Sequence, residues 1–187
     1  MSARDQIIET TCALLELQGY YATGLNQIIK ESGSPKGSLY YYFPGGKEEL
    51  AAKAVSQAGN SVLAHIHENL TSIDDPAEAI YRFMMNVALN VALSGFRMGG
   101  PITTIAMETA SSSVRLRQEC ARIYESWQAE FAAKLIAGGF AEARAQRLAA
   151  LIISTLEGGI ILCRVSQSRK PLEDAAEEIA LLLRMNP

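Results

Sequence analysis

The amino-acid sequence predicts an all-α fold of about nine helices. Apolar residues recur with the period of a helix along most of the 187-residue chain. No run alternates apolar and polar residues over the length of a strand, and few β-branched stretches are bounded by hairpin turns. Glycine or proline stands where helices are expected to end or begin, as at Gly19, Gly33 and Pro35.

The composition is that of an ordinary globular protein. Hydrophobic residues make up 49% of the chain and charged residues 20%, which allows a sizeable core. The net charge is −3, whereas nucleic-acid-binding proteins usually carry an excess of basic residues. A nucleic-acid partner would therefore have to be met by a local arrangement of residues.

Cysteine usage and hydropathy predict a cytoplasmic protein without a membrane partner. The three cysteines are far apart, and no pair has metal-ligand spacing, so we expect reduced, buried thiols. The N-terminal stretch MSARDQIIET lacks the apolar segment of a signal peptide. The longest apolar run, between Arg147 and Arg164, is short for a membrane span and contains Glu157, which favours a buried helix.

The N-terminal part is expected to contain three helices. Their predicted spans are Ala3–Gln18, Gly24–Ser32 and Pro35–Phe43. Gly19 and Gly33 end the first two, while Thr23 and Ser34 are placed to cap the second and third, with Pro35 at the first helical position. Two short helices joined by a tight glycine-containing turn are typical of a helix-turn-helix.

A long fourth helix is predicted to begin at Lys47 and to end before residue 71. Glu48 and Glu49 fall in its first turn, where the helix dipole favours negative charge. From Pro76 onward the helices are more apolar and contain most of the methionine and phenylalanine. We therefore predict two domains, residues 1–50 and residues 51–187, with the fourth helix belonging mechanically to both.

Five further helices are expected in the second domain. Their predicted spans are Ala77–Ser94, Ile102–Ala110, Ser113–Ala137, Ala141–Ser166 and Pro171–Arg184. The helix over residues 141–166 is apolar nearly all round and needs cover on every side. A partner subunit would cover one side of it, and residues 172–184 carry a similar apolar stripe, so these two helices predict a homodimer. Burial within a single chain is the alternative.

The stretch SPKGSLYYYF, residues 34–43, has two different faces. Leu39 and Phe43 are four residues apart and point to the core, and Tyr42 is expected to join their edge. Lys36 pairs with Tyr40 on the opposite side. Gly37 and Tyr41, also four apart, complete that side in the same way.

This outer face suits an anionic surface such as a DNA backbone. Lysine pairs with phosphate, tyrosine hydroxyls donate to phosphate oxygens, and Gly37 lets the backbone come close. The start of the helix at Ser34 and the start of the fourth helix at Lys47 supply free amides that favour anions. The alternative is a surface helix with a few amphipathic tyrosines.

These residues carry a family resemblance. The stretch GYYATGLNQIIKESGSPKGSLYYYFPGGKEEL, residues 19–50, resembles the DNA-binding domain of the TetR family of transcriptional repressors. The matching positions are Gly19, Thr23, Ile28, Gly33, Gly37, Leu39, Tyr40, Phe43, Lys47 and Leu50. Residues 34–50 are similar to the LmrA/YxaF-like branch, as are FRMGGPITTIAMETA and LEGGIILCRVSQSRKPL further on. The chain departs from the family at Ile29 and Ser32, where alanine is usual, and at Pro35, where serine is frequent.

The resemblance implies which residues touch DNA. The implied contacts are Thr23, Asn26, Gln27, Ser34, Lys36, Gly37, Ser38, Tyr40, Tyr41 and Lys47. Up to Val55 the chain has five Lys or Arg residues against six Asp or Glu residues. We therefore expect few charged phosphate contacts and a shallow dependence of DNA affinity on salt.

The resemblance also implies an effector pocket in the second domain. Its candidate lining residues are Phe83, Met84, Val87, Val91, Phe96, Met98, Ile102, Ile105, Met107, Trp127 and Phe131, with ordinary core packing as the alternative for each. Asn86 and Asn90, four apart on an apolar helix, are candidates for orienting a ligand. The alternative for these two is a solvated side of that helix.

Together these features predict a homodimeric repressor that a small apolar or aromatic ligand releases from a palindromic operator. We expect no enzyme, cofactor or metal site, because no Ser-His-Asp set, P-loop or G-x-G-x-x-G is present and His65 and His67 point in different directions. Glu108 and Glu157 are expected to make structural or ligand hydrogen bonds. The alternatives are a helical small-molecule carrier or enzyme without DNA binding, and a family member that activates transcription.

Overall fold

The structure is a computed structural model that describes residues 2–185. Within these residues it contains nine α-helices and no strand, which confirms the predicted all-α fold. The helices are α1 (Ala3–Ala22), α2 (Leu25–Ser32), α3 (Lys36–Tyr42), α4 (Gly46–Thr71), α5 (Pro76–Leu93), α6 (Thr103–Thr109), α7 (Val114–Ala137), α8 (Glu142–Ser166) and α9 (Lys170–Met185).

Packing divides the described chain into two compact units, each made of two segments. Unit 1 comprises the residues up to Ser61 together with Gly100–Ile123, and unit 2 comprises Val62–Gly99 together with the residues from Tyr124 on. Helices α4 and α7 cross the border and contribute residues to both units. These borders concern packing, so the functional division into residues 1–50 and 51–187 stays a prediction.

Unit 1 is built around α1, which packs against α2, α3 and α6. Its core consists of side chains that are almost completely inaccessible to solvent. They include Ile7, Ile8, Leu14, Leu15, Ile28, Leu39, Phe43, Leu50, Ile105 and Leu116. The apolar face of α1 predicted from sequence is therefore buried, and α6 closes this unit together with the three N-terminal helices.

Helix α1 is interrupted at Gly19, which has φ of +81°, a conformation that favours glycine. One more helical turn follows and reaches Ala22. The prediction that Thr23 caps α2 is wrong, because the capping position is Gly24 and has no side-chain cap. The Thr23 hydroxyl instead donates to the carbonyl oxygen of Gly19 at 2.7 Å, since the interruption of α1 leaves that carbonyl available.

The cap predicted for α3 is also wrong. Pro35 occupies the capping position without a side-chain cap, and Lys36 is the first helical residue. Ser34 is buried, and its hydroxyl donates to the carbonyl oxygen of Ala3 at 3.5 Å. The contact with α1 therefore replaces the local contact that the sequence suggested.

Unit 2 is built from α5, α8 and α9, with the second parts of α4 and α7. Helix α5 packs against α8 and α9, and α8 packs against α9. Asp75 caps α5 by accepting from the amide of Ala77 at 3.1 Å, and Pro76 follows at the first helical position. At Gly159 an added Cβ would lie 2.5 Å from Cδ2 of Leu172, so the glycine allows α8 and α9 to approach closely.

Helix α8 is long and apolar enough to cross a membrane by length and composition alone. Nine of its described residues are buried, including Leu148, Ile152 and Leu156. This burial is consistent with the predicted core helix. Four of its large apolar residues are exposed, namely Leu151, Ile161, Leu162 and Val165.

Candidate nucleic-acid interface

The candidate interface is the outer face of α3 with the residues that flank it. Gly33, at φ of +62°, ends α2 in the left-handed conformation and turns the chain toward α3. Leu39 and Phe43 are buried and fix α3 to unit 1. Because these two side chains face inward, the other six residues of α3 are exposed or half-buried.

The three consecutive tyrosines are all exposed, but to different degrees. Tyr41 is 79% exposed, Tyr40 48% and Tyr42 38%. Tyr42 is the least exposed of the three, and its ring packs edge-on against Phe43 with centroids 6.4 Å apart, which agrees with the expectation that it joins the edge of the core face. No hydroxyl of the three has a hydrogen-bond partner within residues 2–185, so all three are available to a ligand.

Lys36 and Gly37 lie on the exposed side of the first turn of α3. A Cβ built on Gly37 would meet nothing within 4 Å, so the backbone there is open to close approach. Ser38 is half-buried, and Asn26 on α2 is exposed. All four are at least partly accessible to solvent, and their contact with DNA stays a prediction.

Gln27 is already engaged in hydrogen bonds. Its Oε1 accepts from Nε2 of Gln18 at 2.9 Å, and its own Nε2 donates to Oε1 of Glu31 at 2.9 Å. Thr23 and Ser34 are buried, with hydroxyls that donate to carbonyl oxygens inside the unit. Both hydroxyls are thus turned inward and hold α1 against the turns, and a DNA contact by Thr23 or Ser34 stays a prediction.

Lys47, in the first turn of α4, is half-buried above an aromatic ring. Its Nζ lies 4.3 Å from the centroid of the Tyr20 ring, which is the geometry of a cation–π interaction. Burial lowers the pKa of the Lys47 ammonium, and the carboxylate of Glu108 opposes that shift. The ammonium of Lys47 therefore contacts the Tyr20 ring of α1 and is attracted by the carboxylate of Glu108 on α6.

Glu108, on α6, makes hydrogen bonds whose partners could not be predicted from the sequence. Its Oε2 accepts from the backbone amide of Tyr20 at 2.6 Å and from that of Tyr21 at 3.3 Å. The hydroxyls of Tyr21 and Ser112 are 2.7 Å apart. The expectation that Glu108 makes a structural hydrogen bond is confirmed, but no local pattern connects it with partners 88 and 87 residues away.

The candidate effector-pocket residues are distributed over both units. Ile102 and Ile105 are buried in unit 1, where Met107 is exposed. In unit 2, Phe83, Met84, Val91, Trp127 and Phe131 are buried, Val87 and Phe96 are half-buried, and Met98 is exposed. The Phe83 and Phe131 rings pack edge-to-face with centroids 5.5 Å apart. A pocket made by these residues stays a prediction.

Asn86 and Asn90 are both exposed. The Nδ2 of Asn86 donates to Oδ1 of Asn69 on α4 at 2.9 Å. Their exposure corresponds to the alternative interpretation of a solvated side of α5.

Comparison with known proteins identifies the family. Residues 7–54 match the model of the tetR family of bacterial regulatory proteins. Residues 76–178 match the C-terminal domain of LmrA/YxaF-like transcriptional regulators. The chain belongs to the TetR family. It is therefore a DNA-binding transcriptional regulator of helix-turn-helix type and not an enzyme.

Two relatives from Bacillus subtilis (strain 168) span nearly the whole TetR-family chain. It is 46% identical over 182 residues to the HTH-type transcriptional regulator YxaF, covering 97% of this chain and 95% of YxaF. It is 39% identical over 170 residues to the HTH-type transcriptional regulator LmrA, covering 91% of this chain and 90% of LmrA. The crystal structure of a TetR transcriptional regulator from Chloroflexus aurantiacus J-10-FL superposes with a TM-score of 0.83 at 27% identity, covering 98% of this chain and 95% of that one.

The TetR-family match adds one point about α6. Residues 76–178, which match the C-terminal domain, include α6 and the start of α7. In the structure these same elements pack in unit 1 with α1. Part of the C-terminal domain as the family defines it is therefore structurally part of the unit that carries the helix-turn-helix.

Proposed function

We propose that this chain is a homodimeric repressor that binds a palindromic operator and is released from it by a small apolar or aromatic ligand. The observation that supports this best is the outer face of α3, where Lys36, Gly37, Tyr40 and Tyr41 are all exposed. Exposure of two phenol rings and a lysine to water does not stabilise the fold, and the backbone at Gly37 is open to close approach. These groups are well suited to phosphates and base edges.

In this proposal the contacts divide into two kinds. Lys36, Tyr40 and Lys47 bind phosphates, which sets affinity and register but carries no sequence information. Gly37 and Tyr41 approach a base edge or a neighbouring phosphate. Asn26, Gln27 and Ser38 would supply further contacts to the DNA.

The proposed dimer uses α8 and α9, over residues 141–166 and 172–184. Its support is the exposed apolar residues that α8 keeps in the single chain, Leu151, Ile161, Leu162 and Val165, together with Leu181 on α9. A dimer presents two α3 helices to half-sites about 34–36 Å apart in an inverted repeat. This arrangement compensates for the small contact area of one seven-residue helix.

The proposed effector binds within residues 51–187. Flat, apolar ligands would suit the buried aromatic pair Phe83 and Phe131. The buried side chains of Met84 and Trp127 would suit them as well. Helix α4 is the proposed connection to the DNA-binding residues, since it runs from Gly46 to Thr71. A coupling of about 1–3 kcal/mol would weaken DNA binding roughly 5- to 150-fold, and a ligand that releases DNA without changing the separation of the two α3 helices would contradict this mechanism.

Mobility shift of DNA from the chain's own upstream region, at low salt and with folded dimer, tests the DNA binding. A reporter driven by the bound promoter, with and without the protein, separates repression from activation. We place the protein in the cytoplasm, where its operator is.

The division of contacts on α3 has its own experiment. Tyr40→Phe removes one hydroxyl from each subunit and should weaken binding to all operators alike, by about 30-fold for two lost hydrogen bonds of about 1 kcal/mol each. Tyr41→Ala should change the preference among operators with different central bases. Tyr42→Phe is the matched control, because Tyr42 is the least exposed of the three residues and packs against Phe43. Equal behaviour of the Tyr40 and Tyr41 variants across a panel of operators would contradict the division.

A further inference from the structure

The turn of α1 that follows Gly19 depends on a carboxylate from α6. Because Gly19 leaves the helical conformation, the amides of Tyr20 and Tyr21 begin a new turn and lack the usual partners one turn earlier. Glu108 accepts hydrogen bonds from both amides through Oε2. A side chain at position 19 would clash with this carboxylate, so the glycine is needed both for its conformation and for the space.

The same turn supports the lysine of the proposed DNA surface. Tyr20 places its ring 4.3 Å below the Nζ of Lys47. Helix α6 thus fixes the backbone of Tyr20, and Tyr20 in turn fixes the position of the Lys47 ammonium.

Two further contacts hold the segment after α6 to the same helices. The hydroxyls of Tyr21 and Ser112 are 2.7 Å apart, and the Ser113 hydroxyl donates to Oε1 of Glu48 at 2.5 Å. Glu48 is the residue after Lys47 in the first turn of α4. Residues 108–113 therefore contact both the turn of α1 that carries Tyr20 and the first turn of α4 that carries Lys47.

We infer that Glu108 is a positioning residue for DNA: by holding the turn at Tyr20, it sets the Lys47 ammonium where a phosphate is bound. The inference rests on the proposed function, in which Lys47 contacts the backbone. The direction of the change in DNA affinity separates positioning from simple electrostatics. Electrostatics alone would make removal of a carboxylate near Lys47 strengthen DNA binding, whereas loss of positioning weakens it.

The salt dependence of binding measures this directly. The probe is a duplex that the wild-type protein selects from randomised DNA, and the affinity of the full-length protein is followed by fluorescence anisotropy between 50 and 300 mM KCl. Each lost phosphate contact reduces the slope of log K against log salt by about 0.9, so Lys47→Ala should reduce it by about 1.8 for the two copies in a dimer. At 0.1 M salt that corresponds to about 60-fold weaker binding.

Glu108→Ala should weaken binding at least tenfold and reduce the slope by more than half of the Lys47→Ala effect. In the Lys47→Ala background it should change the slope no further. Glu108→Gln keeps one oxygen that accepts from the Tyr20 amide and should restore most of the loss. Glu9→Ala, which removes an exposed carboxylate from α1, is the charge-matched control and should keep the wild-type slope.

A wild-type slope or tighter binding in Glu108→Ala would overturn the inference, as would an equal further loss in the double variant. If Glu108→Ala does not fold by circular dichroism, Tyr20→Leu decides, because it keeps both amides and removes only the ring under Lys47. Tyr20→Leu should then show the reduced slope, and a wild-type slope would overturn the inference. Absence of any DNA binding by the folded wild-type protein would be a different result, since it refutes the proposed function itself.

Discussion

Gly59 of α4 lies so close to Ile123 of α7, inside unit 1, that a larger residue at position 59 should reduce stability. An added Cβ there would lie 2.6 Å from Cδ1, 2.7 Å from Cγ1 and 2.8 Å from Cγ2 of Ile123 on α7. Ile123 is fully buried and β-branched, so its side chain cannot rotate away from all three contacts. Gly59→Ala should therefore destabilise the protein.

The magnitude is a difference between two effects. Alanine is favoured over glycine within a helix by about 1 kcal/mol. Overpacking a filled core costs about 1–3 kcal/mol, and three close atoms of one rigid side chain place this site in the upper half of that range. The net loss is about 1–2 kcal/mol, which for a protein of this size lowers Tm by about 2–8 °C.

Thermal unfolding followed by circular dichroism, at equal protein concentrations, is the assay. The matched control is Gly158→Ala on α8, where an added Cβ would meet nothing within 4 Å. This substitution should raise Tm by about 2–4 °C, because within one subunit only the helix preference changes. Adding Ile123→Val to Gly59→Ala removes Cδ1, the closest atom, and should recover part of the loss.

A Gly59→Ala protein that melts at or above the wild-type temperature, while the control behaves as expected, would refute the described contact between α4 and α7. Failure of Ile123→Val to recover any stability would refute the assignment of the clash to Cδ1.

Three other predictions follow from the described contacts. Glutamate at Leu162 and Val165, both exposed on α8, should convert the proposed dimer to monomer in light scattering, and an unchanged mass would exclude α8 from the interface. Burial raises the pKa of the Cys12 and Cys120 thiols to about 11. Their alkylation by iodoacetamide at pH 8 should be on the order of a hundredfold slower than that of free cysteine and should still rise tenfold per pH unit up to pH 10, so a plateau by pH 9 would contradict the buried environment. Asp75→Ala removes the cap of α5 and should cost about 1 kcal/mol in urea unfolding, whereas Asp75→Asn should cost little.

The helices and most of their ends could be predicted because their signals are local. Apolar periodicity marks each helix, and Gly33 ends α2 at positive φ as predicted, whereas Gly19 interrupts α1 at positive φ without ending it. The outer face of α3 was predictable for the same reason, since residues four apart share a side of a helix. The family resemblance in residues 19–50 is confirmed by the match over residues 7–54.

The predictions that failed concern groups whose partners lie elsewhere in the chain. Thr23 and Ser34 look like helix caps by position, but their hydroxyls bind carbonyl oxygens of Gly19 and Ala3 instead. No spacing in the sequence connects Glu108 with the turn after Gly19, because that contact exists only once α6 packs against α1.

The interruption at Gly19 has a consequence for building hybrid regulators. A fusion that transplants residues 1–50 onto another family member would take the Gly19 break and its two amides but leave Glu108 behind. The recipient would have to supply a carboxylate at the same place, and otherwise the transplanted turn would have two amides without acceptors. Residues 100–123 therefore need to travel with the N-terminal helices. The exchangeable part of this protein consists of two separate stretches of sequence.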